Sequence, residues 1–253
     1  MELAAVADIP EVGPGDDLAR LIRERTDLEP GDVLTVASTV VSKAEGRHLD
    51  LASVEPGERA VAIAEQIGQV TGEQKDPRFA QAVLEESAEV LLESPFLLTV
   101  THFGHVCVNA GIDRSNVPRA DLLLLPDNPS ASAQAIRDGL ETEDVGVVVT
   151  DTCGRPFRHG QRGVAIGWAG LPASRDWRGE TDRDGRRLDV AVESIIDEIA
   201  AAGNLLAGEG DGGRPVVRIR GFEVGDHDGS DALFRSEEDD LVRQALREWG
   251  AGS

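Results

Sequence analysis

A mixed α/β or α+β fold is predicted for this chain of 253 residues, and three observations lead to it. Short apolar runs of strand type alternate along the sequence with longer segments in which apolar residues recur at helical spacing. The first predicted strand is not followed by the GxGxxG turn of a doubly wound nucleotide-binding sheet. The sequence also has no GxxxxGK[ST] phosphate loop. We therefore expect a mixed sheet that is neither a Rossmann fold nor a P-loop fold.

Five segments have the periodicity of amphipathic helices. In the first, three apolar residues share one face and Asp16 is placed to cap the helix N-terminus. Gly203 is expected to stop the fourth helix, and Ser236 to cap the start of the fifth. The predicted helices cover residues 16–26, 57–70, 79–93, 188–202 and 237–249.

Strands are predicted where short apolar runs are bounded by glycine, proline or charged residues. These runs cover residues 32–38, 96–102, 122–125, 145–150, 163–168 and 216–220. No repeat or long linker divides the sequence, so we expect a single domain spanning residues 1–253, in one piece or as two lobes. The Gly-rich stretches 174–187 and 208–215 are too short to join independent domains and are interpreted as functional loops.

The charge balance is strongly acidic. The chain has 47 Asp and Glu residues against 25 Lys and Arg, a formal net charge of −22, and Lys43 and Lys75 are its only lysines. Such a surface repels nucleic acids and anionic membranes, so neither is an expected partner. An acidic surface with so little lysine indicates a halophilic protein, adapted to a cytoplasm of high salt.

Nothing in the sequence indicates secretion. The N-terminal stretch MELAAVADIPEVGPGDD has neither a basic region nor a long apolar run. The apolar runs elsewhere are far shorter than a membrane span. Two cysteines, Cys107 and Cys153, do not make a disulfide framework. We therefore expect a cytoplasmic enzyme.

Two segments offer polar groups directly after apolar runs. In STVVSKAEGR, Ser38 and Thr39 supply hydroxyls and Lys43 a cation for a phosphate, the alternative being a loop lysine that extends into solvent. In CVNAGIDRSNV, Asp113 is a hard oxygen ligand for Mg²⁺ or Mn²⁺ and Asn116 lies close by. The alternative for the second segment is an Asx turn with a helix cap.

A third segment, VTDTCGRPFRHGQRG, places Asp151 and Thr152 at the end of a predicted strand. The carboxyl ends of strands in open α/β sheets face the ligand crevice, so the carboxylate and the hydroxyl can bind a cation there. Arg155, Arg158 and Arg162 then offer planar guanidinium groups to a phosphate or carboxylate. The alternative is an ordinary turn in which Asp151 pairs with Arg155.

A fourth segment, GNLLAGEGDGGRP, is a glycine-rich loop that can present backbone N–H groups to phosphates. Glu209 and Asp211 would repel a bare triphosphate, so the loop requires a divalent ion to bridge it to a nucleotide. The alternative is a mobile acidic surface loop. Oxygen ligands without a His/Cys cluster favour Mg²⁺ or Mn²⁺ over zinc. The residues alone thus indicate a metal-dependent enzyme for phosphorylated or carboxylate substrates.

The order of these segments resembles the coenzyme F420-0:L-glutamate ligase family, also known as the F420 gamma-glutamyl ligases, in its archaeal stand-alone type. The phrases STVVSKAEGR, VNAGIDRSNV, VTDTCGRPFRHGQRG and IDEIAAAGNLLAGEGDGG carry the resemblance, which extends from about Ile9 to Leu246. Cys153 stands where the family pattern has an asparagine, and the residues that flank it are kept. No segment corresponds to the C-terminal nitroreductase-like domain of the longer bacterial members.

The resemblance implies a GTP-dependent ligase of coenzyme F420 biosynthesis. Such an enzyme activates the lactyl carboxylate of coenzyme F420-0 as an acyl phosphate and couples it to the amine of L-glutamate. A second, γ-linked glutamate is then added to coenzyme F420-1. The family uses two divalent ions, Mn²⁺ or Mg²⁺, is helped by K⁺, and forms an intertwined homodimer with a mixed-sheet fold of its own.

Carried over by motif, the resemblance implies a set of site residues. Asp113 and Asp151 would hold one metal ion, and Thr152 and Glu209 the other. The candidate catalytic cations are Lys43, Arg155 and Arg158. The GTP-binding residues would be Ile9, Pro10, Glu11, Val12, Ser38, Thr39, Lys43, Asn116, Ala207, Gly208, Glu209, Gly210, Asp211, Gly212, Gly213 and Arg214.

Two other functions fit the same residues. One is a nucleotide- and metal-dependent ligase that joins a different carboxylate to an amine. The other is a non-catalytic GTP-binding module that keeps the nucleotide site.

Overall fold

The computed structural model describes residues 1–115, 117, 120–223, 225 and 229–251. The helices are α1 (Leu18–Arg23), α2 (Ser38–Ala44), α3 (Glu58–Thr71), α4 (Pro77–Glu85), α5 (Pro129–Gly139), α6 (Ile195–Ala207) and α7 (Leu241–Ala251). The strands are β1 (Glu2–Ala5), β2 (Val33–Ala37), β3 (His48–Leu49), β4 (Ser87–Leu92), β5 (Leu98–Thr101), β6 (Val106–Val108), β7 (Leu122–Leu123), β8 (Gly146–Gly154), β9 (Gln161–Ala169), β10 (Ser174–Asp176), β11 (Val192–Glu193), β12 (Val216–Arg220) and β13 (Gly229–Ser230). Within these described ranges, no helix is both long enough and apolar enough to cross a membrane.

The chain forms two compact units. The first contains Met1–Ala44 and Asn128–Leu233, and the second contains Glu45–Asp127 and the described segment from Phe234 onward. The elements that carry most of the predicted site residues belong to the first unit.

The first unit is built on a five-stranded sheet in the order β1-β12-β2-β8-β9. Strands β2 and β8 run parallel, and the other neighbours are antiparallel. Central residues of these two strands, Leu34, Val36, Val147 and Val148, are fully buried. A near-continuous apolar run is expected of a strand that is covered on both faces. The predicted mixed α+β class with a mixed sheet is confirmed.

Helix α6 covers one face of this sheet, where its isoleucines pack against Val148 and Ala165. Two glycines allow a close approach. A Cβ atom on Gly203 would lie 2.3 Å from the Thr35 Oγ1 atom, and one on Gly163 would lie 2.6 Å from the Ala200 carbonyl oxygen. The helix can therefore sit directly on the sheet only because both positions lack a side chain.

Helix α5 packs against β8 and β9 from the opposite face. Val148 faces α6, and adjacent residues of a strand point to opposite faces of the sheet. Val149 and its partner Gly167 therefore face α5. A Cβ atom on Gly167 would lie 2.2 Å from the Pro129 carbonyl carbon, so the first turn of α5 rests directly on β9. The sheet is thus covered by helices on both faces.

The second unit combines two small antiparallel sheets, β4-β5-β6 and β3-β7, with helices α3 and α4. Its apolar core includes Ile63, Ile67, Phe79, Val83 and Leu97, all nearly or fully buried. The helix predicted over 57–70 is confirmed as α3, and its predicted apolar face is the buried one.

The prediction of a helix over 79–93 is wrong for the second half of that segment. Helix α4 ends at Glu85, and Ser87–Leu92 forms β4, which pairs with β5. A short apolar run fits helical and alternating spacing almost equally well. Pairing with the neighbouring strand decides the outcome, and the local pattern does not contain that information.

The predicted role of Gly203 is also wrong. The helix predicted over 188–202 lies later in the chain, as α6, and Gly203 is inside it. Glycine is unfavourable in a helix interior, which is why it suggested a stop. Its close approach to Thr35 explains why glycine stands there nonetheless.

Other element boundaries shift by a few residues. The N-cap of α1 is Asp17 and not Asp16, because the Asp17 carboxylate accepts a hydrogen bond from the Arg20 N–H. The helix predicted over 237–249 begins at Leu241, after a turn in which Ser236 and Asp239 bond to each other. Helix α5 and strand β1 are elements that the sequence patterns did not indicate.

A buried ion pair makes the stability of the first unit dependent on pH. Asp32 is 1% exposed, and its two carboxylate oxygens accept from Arg220 Nε at 2.8 Å and Nη2 at 2.7 Å. Burial alone would raise the pKa of Asp32, but the hydrogen bonds from Arg220 and from the Glu29 N–H outweigh it and hold the pKa below its ordinary 3.8.

We expect Asp32→Asn to lower the free energy of unfolding by roughly 2–4 kcal/mol at pH 7, because it leaves Arg220 without its buried partner. A depressed folded-state pKa gives stability that is present above the ordinary value of 3.8 and lost as pH falls through the folded-state pKa. The difference in free energy of unfolding between wild type and Asp32→Asn should therefore disappear in strong acid. Urea unfolding at several pH values measures it.

The matched control is Glu29→Gln. Glu29 also pairs with Arg220, but its side chain is 58% exposed, so its removal should cost about 1 kcal/mol or less. If Asp32→Asn and Glu29→Gln lowered the free energy of unfolding equally, the larger contribution assigned to the buried Asp32 would be contradicted.

Candidate functional site

The topology of the first unit gathers four chain segments at one edge of the sheet. Ala37 at the end of β2 lies opposite Thr150 in the parallel strand β8, so the pairing of the two strands ends at that edge while β8 continues beside β9. Strand β12 is antiparallel to β2, and therefore the glycine-rich loop that precedes it lies there too. Strand β1 is antiparallel to β12, so the segment that follows β1 reaches the same edge. The register of the sheet thus collects residues that are far apart in sequence.

Ser38 and Asp151 meet at this edge. Ser38 is the first residue of α2 and directly follows β2, while Asp151 is one residue beyond the last pair of the two strands. The Ser38 hydroxyl donates to the Asp151 Oδ1 atom at 3.4 Å. Thr39 follows in the first turn of α2. Both predicted segments therefore contribute to one polar cluster.

Thr152 and Glu209 form the second contact. The Thr152 hydroxyl donates to the two carboxylate oxygens of Glu209, at 3.1 and 3.3 Å. Glu209 comes two residues after the end of α6, where Gly208 has a positive φ of 69° that favours glycine. The Ala37 N–H donates to the Pro215 carbonyl at 2.8 Å and ties the end of this loop to β2. The loop from Ala207 to Arg214 therefore borders the same edge.

Lys43 is buried beside the N-terminal segment. Its side chain is 7% exposed, and its Nζ atom donates to the Glu11 carboxylate at 2.6 Å. The interpretation of Lys43 as a lysine that extends into solvent is therefore wrong. Glu11 lies in the segment that follows β1, together with Ile9, Pro10 and Val12. Since the Glu11 side chain is 59% exposed, it can move away while Lys43 stays in place.

Neither Asp113 nor Asn116 is among the described residues of the first unit. Asp113 belongs to the second unit, where its backbone N–H and C=O bond to Leu123 at 2.9 Å each. Asn116 lies outside the described residues. Their roles in metal and GTP binding stay predictions.

The segment after Thr152 forms a hairpin between β8 and β9. Arg155 and Arg158 lie in its exposed turn and make no ion pair with any residue that the structure describes. Arg162, in contrast, lies on β9 with its guanidinium 3.8 Å from the Asp197 carboxylate. Burial raises the pKa of the Cys153 thiol, and the Asp151 carboxylate raises it further, so the thiol is not a thiolate nucleophile near neutral pH.

Asp197 connects α6 to β9 and is not among the residues predicted from the sequence. Its carboxylate accepts from the Ala165 N–H at 2.9 Å and from the Ser194 hydroxyl at 3.0 Å, joining the first turn of α6 to β9. The spacing Ser194-x-x-Asp197 is a capping-box pattern, which could have indicated this residue.

The donor atoms at the sheet edge suit a hard cation. They are carboxylate oxygens of Asp151 and Glu209 and the hydroxyl of Thr152, with no His or Cys side chain among them. Mg²⁺ and Mn²⁺ prefer such oxygen ligands. Across the described ranges, no group of three or more His, Cys, Asp or Glu side chains is arranged to hold a metal ion by itself. A cation here would complete its shell with other oxygens, such as those of a nucleotide phosphate or water.

The fold and this edge define an α+β protein with a candidate phosphate site built from oxygen donors and a buried lysine. The sequence model of the F420-0:gamma-glutamyl ligase family matches residues 7–221, and the chain belongs to this family. The resemblance indicated by the motifs is therefore confirmed.

Similar proteins cover nearly the whole chain. Two that are named coenzyme F420:L-glutamate ligase, from Halorubrum lacusprofundi and Natronomonas pharaonis, are each 66% identical over 249 residues, which is 98% of this chain and 98% and 97% of theirs. A protein of the same name from Archaeoglobus fulgidus is 50% identical over 250 residues, or 98% of both chains.

Proposed function

We propose that the chain is a GTP-dependent ligase that adds L-glutamate to coenzyme F420-0 in coenzyme F420 biosynthesis. The carrying observation is that two contacts, Ser38 with Asp151 and Thr152 with Glu209, lie at the same end of the sheet in a member of this family. Hydroxyl and carboxylate groups at the carboxyl end of parallel strands are suited to a metal-bound phosphate.

The nucleotide would occupy this edge. The Ser38 and Thr39 hydroxyls would donate to phosphate oxygens, and the Lys43 ammonium would exchange its contact with Glu11 for one with a phosphate. Asp151 would hold one divalent ion, and Thr152 and Glu209 the other. When bound, these ions neutralise charge on the β- and γ-phosphates.

The reaction makes an amide from a free carboxylate, which needs a leaving group. The lactyl carboxylate of coenzyme F420-0 attacks the γ-phosphorus of GTP, and GDP leaves, giving an acyl phosphate. The amine of L-glutamate then attacks the acyl carbon and expels phosphate, and one proton is released. Phosphoryl transfer of this kind depends on positioning and charge neutralisation, which is the chemistry that Lys43 and the oxygen donors would supply.

The remaining features of the proposal concern the assembly and its conditions. We propose two Mn²⁺ or Mg²⁺ ions, stimulation by K⁺, a γ-linked second glutamate on coenzyme F420-1, and a homodimer in the cytoplasm of a halophilic organism. The family membership and the acidic composition support these features.

The test combines GDP release with mass analysis of the product. Wild-type protein is mixed with coenzyme F420-0, Mn²⁺ and L-glutamate and with either GTP or ATP, at several salt concentrations. We expect GDP release that depends on the acceptor, and product masses that increase by one and then two glutamyl residues. Turnover of another carboxylate with none of coenzyme F420-0 would favour a different ligase. GTP binding without any turnover would favour a non-catalytic module.

The buried lysine gives a sharper test of the nucleotide site. We expect Lys43→Met, which keeps the length of the aliphatic stem, to lower kcat/KM for GTP by about 100-fold or more. The melting temperature should change little, because the Glu11 carboxylate left behind is 59% exposed and remains solvated.

The matched control for this variant is Glu11→Gln. It removes the same ion pair but keeps the lysine, so kcat/KM for GTP should fall less than about tenfold. If Lys43→Met and Glu11→Gln lowered kcat/KM for GTP equally, the activity would depend on the ion pair and not on the Lys43 ammonium group itself.

A further inference from the structure

The turn of the β8–β9 hairpin, residues Arg155 to Gly160, carries an aromatic side chain with no packing. Phe157 is fully exposed (106%) and has a φ of 63°. A bulky residue in the left-handed region is a backbone outlier, and such strain concentrates at ligand-binding sites. The packing of the described residues therefore gives no reason for an aromatic side chain at this position.

The same turn carries positive charge in a strongly negative chain. Arg155 and Arg158 flank Phe157 on both sides and form no ion pair with any described residue, although the full sequence has a formal net charge of −22. Two unpaired guanidinium groups beside an exposed ring suit a ligand that has both an anionic group and a flat aromatic ring.

The order of groups along the hairpin matches the order of groups in the acceptor. Thr152 contacts Glu209 at the sheet edge, Arg155 follows three residues later and Phe157 two residues after that. An extended chain covers at most about 3.5 Å per residue, so Thr152 and Phe157 are no more than roughly 18 Å apart. In coenzyme F420-0 the carboxylate, the phosphate and the deazaflavin ring follow one another in the same order.

We propose that this turn recognises the acceptor: Phe157 stacks on the deazaflavin ring, and Arg155 with Arg158 binds the phosphate that links the ring to the lactyl carboxylate. The proposal rests on the proposed function. It makes Phe157 a specificity-determining residue, with no part in the phosphoryl transfer itself. Arg162 is not included, because it faces Asp197.

Steady-state kinetics of Phe157→Ala and Phe157→Trp test the stacking. We expect the alanine variant to raise the KM for coenzyme F420-0 by about tenfold or more, and to leave kcat and the KM for GTP within about twofold. The tryptophan variant, which restores a ring, should have a KM close to that of wild type. Val190→Ala removes an apolar side chain that is also exposed (88%) and should have no effect.

Binding measurements separate the ring from the phosphate. Fluorescence anisotropy is recorded for two probes, coenzyme F420-0 and the ribityl deazaflavin that lacks the phosphate and lactyl groups, with GDP and Mn²⁺ present. Phe157→Ala should weaken the binding of both probes about tenfold, whereas Arg155→Ala should weaken only that of coenzyme F420-0. Melting temperatures should be those of wild type, since neither side chain has a described contact to lose.

Four results would overturn this assignment. A wild-type KM for the acceptor in Phe157→Ala, beside normal turnover by wild type, would overturn it and leave the proposed function standing. A rise in the KM for GTP alone would assign the ring to the guanine base instead. A change in sedimentation of Phe157→Ala would make the turn a contact between copies of the chain. If wild type does not turn over coenzyme F420-0 at all, the proposed function and this inference fail together.

Discussion

Asp151→Asn should reduce kcat for ligation by at least about 100-fold and leave the protein folded. The substitution removes the negative charge at the carboxyl end of β8 but keeps the size of the side chain. The amide oxygen of asparagine can still accept the hydrogen bond from Ser38, which is 3.4 Å from Asp151 in wild type. A rapid-quench measurement of GDP formation, with circular dichroism as the check on folding, measures the effect.

The matched control for this variant is Asp189→Asn. Asp189 is an exposed residue of the same unit without a hydrogen bond or ion pair in the described structure. Its substitution should leave kcat within about twofold of wild type, because it alters only a solvated charge. Wild-type activity in Asp151→Asn would remove this carboxylate from the proposed metal site.

Gly203→Ala should destabilise the first unit by about 1–3 kcal/mol, although alanine is normally the better helix residue. The new methyl group would lie 2.3 Å from the Thr35 Oγ1 atom, so α6 must move away from the sheet. Since α6 leads into the loop that carries Glu209, we also expect ligase activity to fall. Urea unfolding and GDP release measure the two effects.

Gly68→Ala is the control with the opposite sign. Gly68 lies inside α3, and a Cβ atom there meets only the Glu73 carbonyl oxygen at 3.5 Å, an ordinary contact. The same substitution should therefore raise the free energy of unfolding by up to about 1 kcal/mol and leave activity unchanged. A gain in stability in both variants would show that α6 tolerates the added methyl group.

Much of the fold could be predicted where a local pattern is strong. The central strands β2 and β8 can be predicted because their apolar runs are buried on both faces, and β12 because Val216, Val217 and Ile219 are apolar and buried. Helix α3 was found because its apolar stripe is regular over four turns. Strand β4 was mistaken for the end of a helix, because only its pairing with β5 distinguishes the two structures.

The candidate site could be predicted in part. Its residue types, and the rule that polar groups after parallel strands meet at one sheet edge, led to Ser38 and Asp151. The burial of Lys43 against Glu11 could not be foreseen, because an isolated lysine in a polar segment is usually solvated. The exposure of the Phe157 ring could not be foreseen either, since large apolar side chains are expected to be buried.

The family, the acidic character and the positions of the central strands can be read from the amino-acid sequence alone. These properties depend on composition, on fixed phrases and on short-range periodicity, all of which are local. The contacts of Thr152 with Glu209 and of Lys43 with Glu11, and the place of Gly203 inside a helix, become visible in the folded chain. Such contacts depend on strand register and on how closely a helix approaches the sheet, and no local pattern in the chain encodes either.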